Sequence, residues 1–262
     1  MSRYVRLLYH QLRASVLLSA QYRADFLIDA AIEVLWAGLA VVPLLIVFGQ
    51  RSDVAGWTFG EALLVTGFFT LLQGVLEGAI NPSLTAVVEH VRKGTLDFVL
   101  LKPADAQFLV STARFSPWRA INVVTAAVIF SFAFRHIGAP PTAGGLLLAA
   151  ASLLAAVTIL YSLWILTVSA SFYVVKVDNL TYLFSSIFDA ARWPASVFRG
   201  GLRVLFTVVI PLAAMTTYPA EALLGRLSWQ NAAIAMGMTV GLAVVSRLVW
   251  VRSLSRYTSA GG

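Results

Sequence analysis

Four polar side chains interrupt otherwise apolar stretches, and they come in two pairs: Asp29 with Glu33, and Gln73 with Glu77. Each pair is four residues apart, which on an α-helix places both side chains on one face. Carboxylates so placed can hold a cation or a basic side chain. At the centre of a bilayer a carboxylate costs about 2.5 to 3.5 kcal/mol on insertion scales, so such groups face protein, water or headgroups rather than lipid tails. Two outcomes are open. Glu33 and Glu77, with Asp29 and Gln73 beside them, receive a positively charged or amphiphilic molecule, or they are neutralised by a base such as Arg23 or Arg119. Trp164, with Phe68, Phe69, Tyr161 and Phe206, offers aromatic surface that suits an apolar cation and equally suits packing.

Other chemistry finds no residues to carry it. The chain has no cysteine, which excludes disulfides, thiolate metal sites and cysteine nucleophiles. His10, His90 and His136 stand singly in polar stretches, without an HExxH pattern or a carboxylate at ligand spacing, so no metal site is expected. There is no GxxxxGKS or GxxxxGKT; Lys93, Gly94 and Thr95 come nearest, in the wrong order, so the chain cannot cradle nucleotide phosphates in the P-loop manner. No GxSxG elbow is present either, and no cofactor is expected in this chain.

The elements that position these side chains are read from composition. Of 262 residues 59% are hydrophobic and only 12% charged, whereas a soluble domain is nearer a quarter charged. A spanning helix needs about 20 predominantly apolar residues, because only a helix satisfies its own backbone groups in hydrocarbon. Six stretches qualify: 26–48, 59–80, 118–134, 146–174, 204–224 and 232–250. The expectation is therefore an all-α polytopic membrane protein, a single transmembrane domain over 1–262 with about six transmembrane helices. The net charge of +7 fits the positive-inside rule better than nucleic-acid binding, since no soluble fold is there to display a basic patch. An even number of spans puts both termini on one side. That side would hold Arg3, Arg6, Arg13 and Arg23, then Arg92, Lys93, Lys102, Arg114 and Arg119, then Lys176, Arg192, Arg199 and Arg203, then Arg247, Arg252 and Arg256. The other side keeps only Arg51, Arg135 and Arg226, so both termini are expected in the cytoplasm. The first 25 residues are too long and too basic for a secretory signal, and no small-residue cleavage site follows them, so this segment is expected to be retained.

Three amphipathic pieces fall on that cytoplasmic side. In 1–25, Arg3, Arg6, His10 and Arg13 oppose Val5, Leu8 and Leu12, which predicts an interfacial helix. A second begins with Asn81 as cap and Pro82 at the first helical position, carries the stripe Leu84, Val87, Val88 and Val91, and stops at Gly94. A third follows Asp178 and Asn179, with Leu180, Leu183, Phe184, Ile187 and Phe188 at helical spacing, before Arg192, Trp193 and Pro194 break it. Gly74 with Gly78, and Gly237 with Gly241, make two GxxxG packing faces. Pro211 and Pro219 should bend the fifth span.

The loop after the second span runs from Val91 to Pro103 as VRKGTLDFVLLKP. It resembles the permease subunits of ABC-2 type transporters, in particular the branch with viologen and multidrug exporters, matching at Gly94, Thr95, Leu96, Asp97, Leu101, Lys102 and Pro103. The resemblance implies a half-transporter of a prokaryotic inner membrane that exports a drug-like or amphiphilic substrate. Its implied partners are a second permease chain, identical or related, and a separate ABC ATPase subunit that binds ATP and Mg. It also implies that the helix from Pro82 to Lys93, with Val87 and Val91, is a coupling helix within a cytoplasmic loop over 81–117, with Asp97 and Lys102 flanking the contact. A second cytoplasmic loop is expected over 175–203. An importer's transmembrane coupling component, or an unpowered channel or scaffold, would share the short cytoplasmic helices and the missing P-loop.

Overall fold

The computed structural model describes residues 3–21, 23–173 and 178–257. Among them the chain is helical throughout, with a single isolated bridge between Val54 and Trp57 and no sheet. The helices are α1 (Arg3–Gln21), α2 (Arg23–Gln50), α3 (Phe59–Lys93), α4 (Ala106–Ser111), α5 (Pro117–Ile137), α6 (Ala143–Phe172), α7 (Asp178–Phe188), α8 (Gly201–Val209), α9 (Ala213–Leu223) and α10 (Trp229–Leu254). Five described stretches, in α2, α3, α5, α6 and α10, are long and apolar enough to cross a membrane, and α8 with α9 qualifies as a pair bent by 65°. The fold is an all-α, multi-pass membrane bundle.

The second span and the amphipathic helix after it are one rod. Pro82 was expected to start a new helix; instead α3 continues through it by widening into a π turn at Leu76–Ile80. Proline has no N–H and its ring collides with the carbonyl four residues back, here that of Gly78. The widened turn relieves the collision, and the Ser116 N–H donates to the orphaned Gly78 oxygen at 2.8 Å. Two more π turns, Leu205–Val209 and Ala213–Thr217, stand just ahead of Pro211 and Pro219. At 1.5 Å per residue, the 35 residues of α3 extend about 50 Å, against roughly 30 Å of hydrocarbon. One end of α3 therefore projects well beyond the spanning part of the bundle.

Glycines set how closely α3 meets α5. Gly60, Gly67, Gly74 and Gly78 form a stripe on α3, and a Cβ on Gly67 would lie 2.5 Å from the Phe130 ring, one on Gly74 2.8 Å from Asn122 Cβ. The first GxxxG thus serves packing inside the bundle, whereas Gly237 and Gly241 have open space before them.

The bundle has two distinct ends. At one, Tyr4 and Gln11 of α1 meet Phe108 and Thr112, and the last turns of α10 lie against Asp105 and Tyr173. Both described chain ends therefore share the end where residues 94–117 sit. At the other, Glu61 pairs with Arg226, and Gly60 abuts His136 and Ile137.

The segment expected as a second loop, 175–203, does not stay at the first end, and this corrects the sequence reading. α7 climbs beside α3: Phe184 packs on Trp164, Phe188 on Phe69, the Arg192 carbonyl accepts from Thr66, and Ser196 accepts from Trp57 at the far end. Lys176 and the side chains of Asp178, Asn179 and Leu180 lie outside the described residues. α8 and α9 then enter and leave at that far end, since Phe206 of α8 packs on Phe198 while Ala222 and Leu223 of α9 touch Gly145 at the start of α6. Thr216 and Thr217 pin this re-entrant pair to the Ala191 carbonyl and the Ala195 N–H. The stretch at 204–224, expected to span in one piece, is two helices bent by 65° whose outer ends both lie near that far end, and α7 runs beside them from one end of the bundle toward the other.

Two outcomes follow for the fold. Gly67→Ala and Gly74→Ala should each destabilise the detergent-solubilised chain by about 1 to 3 kcal/mol through overpacking, read as a lower Tm, with Gly237→Ala unchanged. In this cysteine-free chain, Arg199→Cys should react with an impermeant maleimide from the same side as Ser52→Cys and from the opposite side to Ser255→Cys.

Candidate functional site

A cavity of about 380 Å³ opens between α2, α3, α5 and the helical turn Asp189–Arg192 that follows α7. Glu33 of α2 forms an ion pair with Arg119 of α5 at its wall. Arg192 donates to Asp189 at 3.1 Å, and its guanidinium sits 5.2 Å from the centre of the Phe69 ring. Gln73 and Asn122 also line this space. Of the two readings of Glu33, pairing with Arg119 is the one observed.

Glu77 points elsewhere. It lines a separate groove of about 600 Å³ with Arg92, Arg114 and Trp118, and Arg119 borders both spaces. Its carboxylate accepts from Asn81 Nδ2 at 3.2 Å, while Asn81 Oδ1 accepts from Trp164 Nε1 at 3.4 Å. Trp164 is 1% exposed, packs edge-on against Phe184, and lines neither the cavity nor the groove, so its surroundings are those of a packing residue. The Asp29 side chain lies outside the described residues. The structure brings Glu33 and Gln73 together, adds Asn122 and Asp189, and leaves Glu77 and Trp164 apart. Asn122 was legible as a lone amide in an apolar run; Asp189 was not, because α7 had been read as part of a loop.

The projecting end of α3 is the second candidate. Val87 is buried and Val91 half-buried against the bundle, so these two hold the rod in place and are not presented outward. Gly94 ends α3 in the left-handed conformation, φ 65°, with its N–H donating to Val91 and that of Thr95 to His90. The Thr95 hydroxyl also meets His90 Nδ1 at 2.8 Å. Leu96 is fully buried and anchors the turn, and Asp97 opens a one-turn helix, Asp97–Leu100. Beyond this anchor the chain turns outward: Phe98 is 71% exposed, Leu101 81%, and Lys102 and Pro103 are exposed beside them.

The sequence model of a family described as ABC-2 family transporter protein matches residues 34–261. The chain belongs to this family. No curated protein and no solved structure matches it. Among the described residues of this ABC-2 permease, no group of three or more His, Asp or Glu side chains could hold a metal ion.

α4 ties the exposed tip of the permease to the rest of the bundle. Asp105 caps it, accepting from the Phe108 N–H at 3.0 Å, and also accepts two hydrogen bonds from Arg247 of α10, at 2.6 and 3.2 Å. Arg247 reaches Gln107, Gln107 and Ser111 meet the Tyr161 hydroxyl, and Thr112 donates to Gln11 of α1. The Arg247 hydrogen bond holds the Asp105 carboxyl below its usual range; burial opposes this, and the Phe108 N–H adds to it. A carboxyl lowered on folding stabilises above its ordinary pKa of about 3.9 and loses that contribution as pH falls through the lowered folded value. Asp105→Asn keeps the cap and removes the charge. At pH 7 it should cost at most about 1 kcal/mol, the pair being partly exposed, and its Tm deficit against wild type should close as pH drops below the carboxylate range.

Proposed function

We propose that this permease is the transmembrane half of an ATP-driven exporter, with residues 94–103 receiving force from a separate ATPase subunit that binds ATP and Mg. The observation that carries this reading is the continuity of α3: one helix borders the polar cavity at Gln73 and ends in an exposed apolar tip. A rigid lever of that kind converts closure of a docked partner into displacement of a wall of the cavity.

The GTLD and LKP strings lie at this tip, so the resemblance to the viologen and multidrug exporter branch falls on the surface available to a partner. Asp97, Lys102 and Pro103 border the contact, Phe98 and Leu101 supply its apolar centre, and Val87, Val91, Gly94, Thr95 and Leu96 set its position. Two permease chains, identical or related, would complete the assembly in a prokaryotic inner membrane. The cytoplasmic assignment of the tip rests on charge: Arg3, Arg6, Arg13, Arg92, Lys93, Lys102, Arg114, Arg252 and Arg256 load that end. Moving Arg199 and Arg203 to the other side reduces the asymmetry without reversing it. The cargo pathway starts at the cavity of Glu33 and Gln73.

The test is copurification of the tagged chain with its neighbouring gene products in mild detergent. A stoichiometric P-loop ATPase should be recovered; Leu101→Asp should weaken its association roughly tenfold or more, as loss of a central apolar anchor does. Pro103→Ala and Asp97→Ala should lower its transport-coupled ATP hydrolysis. Recovery of the chain without any ATPase, or with a small membrane binding subunit that delivers a solute inward, would contradict the exporter reading.

A further inference from the structure

Among the described residues, the carboxylates that line the cavity are matched: Glu33 is taken by Arg119 and Asp189 by Arg192. What remains unmatched is neutral. Asn122 is 1% exposed and its Nδ2 has no hydrogen-bond partner; Gln73 Oε1 is likewise buried without one, and both residues line the cavity. A buried amide donor and a buried amide acceptor left open carry their full desolvation cost until something supplies the complement. The two amides sit on facing helices drawn close by Gly74, whose absent side chain makes room for Asn122. Beside them Trp36, Leu39 and Phe69 form an apolar wall.

We propose that this cavity binds a neutral amphiphile through an amide-type headgroup. The headgroup carbonyl accepts from Asn122 Nδ2, its N–H donates to Gln73 Oε1, and its apolar body lies against Trp36, Leu39 and Phe69. This rests on the transport reading and changes its cargo from cationic to neutral, with the carboxylates serving to hold Arg119 and Arg192 rather than to attract substrate.

Equilibrium binding to the full chain, copurified with its ATPase in lipid nanodiscs without nucleotide, tests it. The probes are labelled N-dodecylacetamide and dodecyltrimethylammonium, which share a chain and differ in headgroup. Saturable binding of the acetamide is expected, weakened about five- to tenfold by Asn122→Leu and by Gln73→Leu, each of which removes one hydrogen bond. Gln73 is only half-buried, so its variant keeps the test open if Asn122→Leu fails to fold. Wild-type affinity in Gln73→Leu, tighter binding of the ammonium that is lost in Glu33→Gln, or no saturable acetamide binding would each overturn the inference. The readout needs no turnover: missing acetamide binding in a preparation whose ATPase responds to Pro103→Ala counts against this inference alone. A missing ATPase partner counts against the transport reading alone.

Discussion

In hydrocarbon a backbone or side-chain polar group without a partner costs several kcal/mol, and this requirement shapes the chain more than any single contact does. Each of Pro82, Pro211 and Pro219 removes a backbone donor, and each is preceded by a π turn that lets the helix go on or turn back. The carbonyl orphaned by Pro82 is taken up by the Ser116 N–H, which joins α3 to the start of α5. The re-entrant pair α8 and α9 is held by Thr216 and Thr217 on the backbone after α7. Glu33 and Glu61 find Arg119 and Arg226. Against this background the open amides of Gln73 and Asn122 stand out, because nearly everything else around them is satisfied.

The same requirement gives the fold its mechanics. Because Pro82 is absorbed rather than allowed to break the helix, α3 runs as one continuous helix from the cavity to Lys93, just short of the tip. The glycine stripe lets α5 lie directly on this rod, and α5 brings Arg119 and Asn122 to the cavity with it. α4 fastens the other side of the tip to α1, α6 and α10 through Asp105, Gln107 and Thr112. The tip is thus flanked by α3 on one side and on the other by a hydrogen-bond network that is exposed at Asp105–Arg247 and part-buried at Gln107 and Thr112.

Much of this was legible in the sequence, and the misses have physical causes. Four spans agree with their helices to within about four residues at each end, and the second shares its start but runs on to Lys93, because twenty apolar residues in a row have few other uses. Charge cost left Glu33 between a cation and a base such as Arg23 or Arg119, and residue size marked the GxxxG at Gly74 as a packing face; the structure pairs Glu33 with Arg119. The break at Asn81 and Pro82 was misread because cap and proline rules describe isolated helix starts, and a π turn paired with Ser116 makes both unnecessary. The path of 178–203 was missed because hydropathy favours 204–224 over α7; the packing of Phe184 and Phe188 and the hydrogen bonds to Thr66 and Trp57 reveal that α7 climbs the bundle. Val87 and Val91 looked like a docking stripe and are largely turned toward the bundle, since an apolar stripe on a projecting helix serves its own protein first.

The central claim is that the tip and α3 move as one body. It is tested most directly by pulsed EPR distances among spin labels at Leu100, Thr85 and Leu147, all exposed in the free chain, in the cysteine-free chain assembled with its ATPase. On trapping the nucleotide-bound state, the distance from Leu100 to Thr85 should stay constant while both change relative to Leu147 on α6. A change between Leu100 and Thr85, with Thr85 fixed relative to Leu147, would contradict it and make residues 94–103 a flexible cap.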